Sequence, residues 1–178
     1  LGKGVLRAVG EAEVRLSEDG LRIMRVYRFM DQAEAGSWQP DEELAEALKE
    51  CQPMLKNVSV ERIWHELTRI LSGVHAAEAL SRLGADGILD RLLPSANGRM
   101  DFQRELSVVE NPVEARLALL FHPESARDDL LGLKAPRRVI DGVEDLLRRL
   151  GRLPDPDEPR QLRLYRAALG ARLHLQLS

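Results

Sequence analysis

Cysteine, aromatic residues and lysine are all scarce in this chain, and each shortage excludes something. One cysteine, Cys51, in 178 residues forms no internal disulfide, so no covalent framework holds the fold. With 13 glycines, 9 prolines and 44% hydrophobic residues, the chain is neither collagen-like nor low-complexity and has the apolar content for one large or two small domains. No apolar run approaches the roughly 18 residues that a membrane helix needs, which excludes a helical span. The start, Leu1-Gly2-Lys3-Gly4, has neither an initiator Met nor the apolar core of a secretory signal. Together with the lone thiol, that places the expected setting in the cytoplasm. A formal net charge of −3 excludes a whole-chain polycation. Lysine occurs only at positions 3, 49, 56 and 134, so nearly all of the 26 basic residues are arginine. Arginine is the planar, bidentate partner of phosphates and base edges, and it is also simply a good helix former.

Apolar residues return at spacings of three and four while β-branched runs are nearly absent, which predicts an all-α, irregular multi-helix array. Only Gly4 to Val9 reads as extended. A first helix is expected from an N-cap at Ser17 to about Ala35, with Gly36 ending it. Pro40 and Asp41 open a second through Leu44, Ala47 and Leu48, which Pro53 interrupts. Ser59 caps a third, with Ile63, Leu67, Ile70 and Leu71 on one stripe and Gly73 closing it. Further helices are expected around His75 to Leu83, Asp86 to Leu92, Arg99 to Val109, Val113 to Phe121, Ser125 to Leu131, Arg137 to Leu150 and Pro159 to Ala168.

The segment from Arg15 to Phe29 carries the most chemistry. On a continuous helix Asp19 and Arg22 are neighbours, while Arg22, Arg25 and Arg28 drift around one cationic face. Leu21, Met24 and Phe29 take other faces. A carboxylate beside a guanidinium sets an acceptor next to a fork of donors, as hydrogen bonding to the edge of a nucleobase requires, and further arginines suit phosphates. A solvated helix laced with ion pairs has the same spacing.

The order Leu6-Arg7-Ala8-Val9-Gly10, Arg15, then Glu18-Asp19-x-x-Arg22-x-x-Arg25-x-x-Arg28-Phe29 resembles the bacterial tRNA nucleotidyltransferases, or CCA-adding enzymes, and their poly(A) polymerase relatives. The resemblance continues through Leu55-Lys56-Asn57-Val58-Ser59, Glu61-Arg62-Ile63 and Glu66-Leu67 to Ile70-Leu71, and through Leu83-Gly84-Ala85-Asp86-Gly87-Ile88-Leu89 to Leu93-Pro94. It implies that Asp19 and Arg22 pair with the base of incoming CTP or ATP. Glu18 supports them, Arg25 contacts the triphosphate or the neck, and Arg28, Arg62 and Glu66 brace the neck. It also implies three parts: a remnant of a catalytic head over 1–16, a nucleobase-selecting and RNA-binding neck over 17–73, and a helical body over 74–178. The family's head holds Mg²⁺ on paired carboxylates for nucleotidyl transfer. No such element stands before Leu6, so the expectation is a neck and body fragment, inactive alone, with the tRNA 3′ end and nucleotide triphosphates as partners and Mg²⁺ only through the head. Gly20 inside the template element and Val26-Tyr27 depart from the family pattern. The same region serves poly(A) polymerases and enzymes that add only CC or only A, and a non-catalytic helical RNA-binding adaptor is the alternative of another class. Without a head, Val5, Leu6 and Leu16 are expected to lie exposed.

Other candidates are bland. His65-Glu66 lacks the second His of a zinc-protease helix, and His75, His122 and His174 are scattered. Asp128-Asp129 reads as a solvated face and Cys51 as a packed thiol. Arg148, Arg149, Arg152, Arg160, Arg163 and Arg166 make the last third locally basic, which suits an RNA backbone or an ordinary helix surface equally.

Overall fold

The computed structural model describes residues 4–32, 37–96, 113–121 and 125–150. A two-residue strand β1 (Val5–Leu6) leads into α1 (Ala12–Glu18) and α2 (Leu21–Phe29), and a 3-10 turn (Met30–Gln32) follows. Strand β2 (Gln39–Pro40) returns to pair in parallel with β1, Val5 against Gln39 and Leu6 against Pro40. Then come α3 (Glu42–Cys51), a 3-10 turn (Gln52–Asn57), α4 (Val60–Leu71), α5 (Ala76–Ala85), α6 (Ile88–Leu92), α7 (Val113–Ala118), α8 (Ala126–Gly132) and α9 (Arg137–Leu150). This is the expected all-α array with its short extended start, but Pro40, expected to open the second helix with Asp41, lies instead in a strand that pairs with that start.

The punctuation that was legible rests on identifiable chemistry. Asp41 caps α3, its side chain accepting from the Leu44 amide at 3.0 Å, with Glu42 and Glu43 in the first turn where the helix dipole favours anions. Pro53 turns α3 into the 3-10 segment. Ser59 occupies the N-cap of α4 in extended conformation but makes no side-chain capping bond. The stripe Ile63, Leu67, Ile70 and Leu71 is buried as its spacing predicts.

Three boundaries differ. The helix expected from Ser17 is two helices, and Ser17 sits in the last turn of α1. The chain leaves helical geometry at Asp19 (φ −148°, ψ 106°), whose Oδ1 accepts from the Leu21 amide at 3.0 Å and so starts α2 independently. Gly20 is required there because a Cβ would stand 2.5 Å from the Met54 carbonyl oxygen. Asp86 closes α5 rather than opening α6, its amide donating to the Arg82 carbonyl, and Gly87 turns the chain at φ +72°. Helix α7 stops at Ala118, and Phe121 instead bridges to Ala96. The helices expected at 99–109 and 159–168 lie outside the described residues, as do Arg152, Arg160, Arg163, Arg166, His122 and His174.

A single buried cluster runs from Leu16, Ile23, Met24 and Tyr27 through Leu48, Leu67 and Leu71 to Leu80, Leu83, Leu117, Leu130 and Val143. Full burial of each such side chain is worth about 1.5–3 kcal/mol. Of the three residues expected to lie exposed, Val5 does, Leu6 is half-buried against the core and Leu16 belongs to it. Tyr27 anchors α2 to the end of α5, its hydroxyl donating to Asp86 Oδ2 at 2.8 Å while Arg82 pairs with the same oxygen at 2.7 Å. Arg116 of α7 donates to the Leu71 and Gly73 carbonyls at 2.5 and 2.6 Å, satisfying acceptors at the end of α4. No helix of the described residues is long and apolar enough to cross a membrane.

Candidate functional site

The break at Asp19-Gly20 re-aims α2 so that its arginine face looks onto the segment after β1. Between them lies a cavity of about 430 Å³. The extended segment contributes Leu6, Arg7, Ala8 and Val9, α1 contributes Arg15 and Leu16, and α2 contributes Arg22, Arg25, Val26, Arg28 and Phe29. Helices α3 and α4 add Leu44 and Arg69. Six guanidiniums therefore stand over an otherwise apolar lining that holds no carboxylate.

Three acids outside the lining balance part of this charge. Glu18 takes Arg22 Nη1 at 2.5 Å and Arg15 Nη1 at 2.9 Å. The hydrogen bond from Arg22, joined by the charge of Arg15, holds the Glu18 carboxyl below the usual range. Asp41 pairs with Arg7 at 3.2 Å, and Glu66 with Arg28 at 3.0 Å and Arg25 at 3.7 Å. Against six guanidiniums these three carboxylates leave a surplus of positive charge facing the cavity, the electrostatic requirement for a polyanion. Arg28 also lies over the Phe29 ring, 4.8 Å from its centroid.

Of the residues singled out in the sequence, Arg22, Arg25 and Arg28 converge on the cavity, and Glu18 and Glu66 hold them from behind. Asp19 and Arg22 are not a helical pair, because the helix breaks between them. Asp19 instead meets Arg62 of α4, Oδ2 to Nη2 at 3.1 Å. Partial burial raises the Asp19 carboxyl, but the Leu21 amide and the Arg62 guanidinium outweigh it and hold it below its ordinary value. Arg7, Arg15 and Arg69 were missed as site residues. A signal for Arg69 existed: Arg62, Glu66 and Arg69 recur at four and three residues, one stripe of α4, and that stripe faces α2.

The lining does not fit Mg²⁺, since guanidiniums repel a divalent cation that needs oxygen ligands. Among the described residues no three His, Cys, Asp or Glu side chains are grouped to hold a metal. His65 is exposed on α4. Asp128 is solvated, whereas Asp129 accepts from the Ser95 amide at 2.7 Å and ties α8 to the turn after α6. Cys51 is buried, with its sulfur 3.6 Å from Ser17 Oγ.

Comparison with known proteins gives this geometry a context. Residues 39–99 match the family described as "Probable RNA and SrmB- binding site of polymerase A". Over 180 residues the chain is 34% identical to the CCA-adding enzyme of Geobacillus stearothermophilus, covering 97% of this chain and 43% of that protein. It is 34% identical over 154 residues to the CCA-adding enzyme of Streptococcus pneumoniae serotype 19F, covering 83% and 38%. The crystal structure of the Bacillus stearothermophilus CCA-adding enzyme in complex with CTP superposes with a TM-score of 0.70 at 31% identity, over 92% of this chain and 42% of that one. Nearly the whole of this chain is thus similar to a part of the CCA-adding enzymes. It spans less than half the length of these relatives. The matched stretch 39–99 supplies only Leu44 and Arg69 to the cavity, so the remaining walls come from the arginine-bearing segment before it.

Proposed function

We propose that these 178 residues are the neck and body of a tRNA CCA-adding nucleotidyltransferase. In this reading the arginine cavity receives incoming CTP or ATP and the tRNA 3′ end lies alongside. One observation carries it: six guanidiniums, only partly neutralised, line a single cavity in a chain whose relative was crystallised with CTP. The first 16 residues lead in from the catalytic head, 17–73 form the neck and 74–178 the body, and the Mg²⁺-dependent transfer belongs to residues outside this span.

The base is read by side chains. Arg22 engages Glu18 and the Arg15 carbonyl through Nη1, which leaves its other donors for a base. Asp19 stands outside the cavity lining, and each of its oxygens has one partner here and keeps a second lone pair for an amino group of a cytosine or adenine that extends past the lining. Arg25 and its neighbours take the phosphates, and Arg28, Arg62 and Glu66 brace α2 against α4.

Calorimetric titration of this chain with each of the four nucleoside triphosphates tests the reading. CTP and ATP are expected to bind at least 10-fold tighter than UTP and GTP, and Arg22→Gln to level the four. Equal affinities in the unaltered chain overturn it. The family description naming polymerase A favours a second reading, a poly(A) polymerase. Adding a separately expressed head domain, Mg²⁺, CTP, ATP and a tRNA lacking its CCA end separates the two by product length.

A further inference from the structure

The six guanidiniums of the cavity are not equally accompanied. Glu18 holds Arg15 and Arg22, Asp41 holds Arg7 at 3.2 Å, and Glu66 lies 3.0 Å from Arg28 and 3.7 Å from Arg25. Among the described residues no carboxylate pairs with the sixth, Arg69. It is exposed in the last turn of α4, with exposed His65 one turn before it and exposed Ser72 just after the helix. Its place along the cavity follows from two cross-links. Asp19 at the start of α2 meets Arg62, and Arg28 near the end of α2 meets Glu66, so α2 and α4 run in the same sense. Arg69 continues that line past Glu66, roughly 10 Å along the helix axis from Arg62 and so from the base-reading end at Asp19 and Arg22. Among the described residues it is also the only charged group that the stretch 39–99 brings to the lining.

We propose that Arg69 holds a backbone phosphate at the 3′ end of the RNA, as a binding residue distinct from the arginines that take the nucleotide. The proposal rests on the reading above and names the side chain through which the RNA reaches the cavity. Two features assign Arg69 to RNA and not to the triphosphate. Arg25 and Arg28 stand between it and the base-reading end, so the phosphates of a nucleotide meet them first. Arg69 also belongs to the stretch whose matching family is described by RNA binding, and Arg25 and Arg28 do not. A guanidinium with no acid beside it gives up only water and small counterions for a phosphate, so its contact carries the full salt dependence of a nucleic-acid charge pair. Such a contact fixes position without reading bases, and one residue thereby serves RNAs of any terminal sequence.

The test measures binding of a tRNA transcript lacking its CCA end, and of CTP, to the unaltered chain, Arg69→Gln and Arg69→Lys across a salt series. Arg69 is exposed, so both variants are expected to fold. Arg69→Gln should weaken the RNA about 5-fold, the order for one pair of unit charges at about 4 Å in water. It should also flatten the slope of log K against log salt by about 0.7–0.9. CTP should bind as before, and Arg69→Lys should keep the RNA slope because it keeps the charge. A transcript whose last linkage is a neutral methylphosphonate should bind the unaltered chain as the natural RNA binds Arg69→Gln, and Arg69→Gln should weaken that transcript no further. An unchanged RNA slope in Arg69→Gln overturns the proposal and leaves Arg69 as a cation suited to the C-terminal dipole of α4. So does a loss for CTP as large as that for RNA, which makes Arg69 a triphosphate residue, or an additive loss on the methylphosphonate transcript. A chain that binds no RNA overturns it too, while the comparison of the four nucleotides still decides the nucleotide reading by itself.

Discussion

Asp19 and Arg62 join the start of α2 to α4 across 3.1 Å, and the same Asp19 carboxylate caps Leu21 through its other oxygen. One side chain thus begins a helix and fastens it to the neighbour that carries Glu66 and Arg69.

Asp19→Ala is expected to cost about 1 kcal/mol through the lost cap, or roughly 2–4 °C in thermal midpoint. Asp19→Asn keeps a capping oxygen and loses less. The folded-state carboxyls of Asp19 and Glu18 are held below their unfolded values. Their contribution is therefore present above the ordinary carboxylate range and is lost as pH falls through the folded values. Thermal melts from pH 6 to pH 2 should show a shallower acid loss for Asp19→Asn than for the unaltered chain.

Gly20→Ala and Gly132→Ala should move stability in opposite directions. Alanine gains about 1 kcal/mol of helix propensity. At Gly20 the added Cβ would meet the Met54 carbonyl oxygen at 2.5 Å and its carbon at 2.8 Å, backbone atoms that cannot swing aside. Overpacking there costs about 1–3 kcal/mol and prevails. Nothing lies within 4 Å of a Cβ at Gly132, so that variant is expected to be neutral or stabilised. Urea midpoints decide both.

Tyr27 should resist ionisation well above ordinary phenol pH, because burial and then its bond to the Asp86 carboxylate raise its pKa. Its stabilising contribution is complete below the unfolded value near 10 and is lost as pH rises, when the unfolded chain releases the proton and the folded one does not. Absorbance titration near 295 nm should show a phenol step delayed until unfolding, absent in Tyr27→Phe. That variant also loses a hydrogen bond to a charged acceptor, about 1.5–3 kcal/mol.

Polyanions should protect the fold. At 100 times its Kd a cavity ligand adds about 2.7 kcal/mol, roughly 5–11 °C at this size. Raising salt from 0.05 to 0.5 M should remove most of the shift for tripolyphosphate, since it binds by exposed charge. A salt-independent shift would count against the arginine cavity as its site.

The helical class, the α3 cap, the start of α4 after Ser59 and the α4 stripe were legible because each is local chemistry or repeats at helical spacing. The break in the first helix was not, because Arg22, Arg25 and Arg28 keep a three-residue rhythm that reads straight back through Asp19. Only the approach of Met54, remote in sequence, shows why Gly20 stands there. Arg22, Arg25 and Arg28 could be read as one face. That Arg7 and Arg69 share their cavity depends on β1 meeting β2 and on α4 packing beside α2, which no local pattern encodes.

The clasp between β1 and β2 joins positions 34 apart, Val5 to Gln39, and bears on how the cavity admits a ligand. Its bonds run from the Gln39 amide to the Gly4 carbonyl and from the Asp41 amide to the Leu6 carbonyl, each 3.0 Å. Two rungs without a flanking strand have little cooperativity of their own and open without melting the helices around them. Leu6 to Val9 form a wall of the cavity, so that wall hangs from one end of a sheet too small to lock it. In hydrogen exchange the Asp41 amide should trade its proton far faster than amides in the middle of α4, and a polyanion held by Arg7 should slow the first without touching the second.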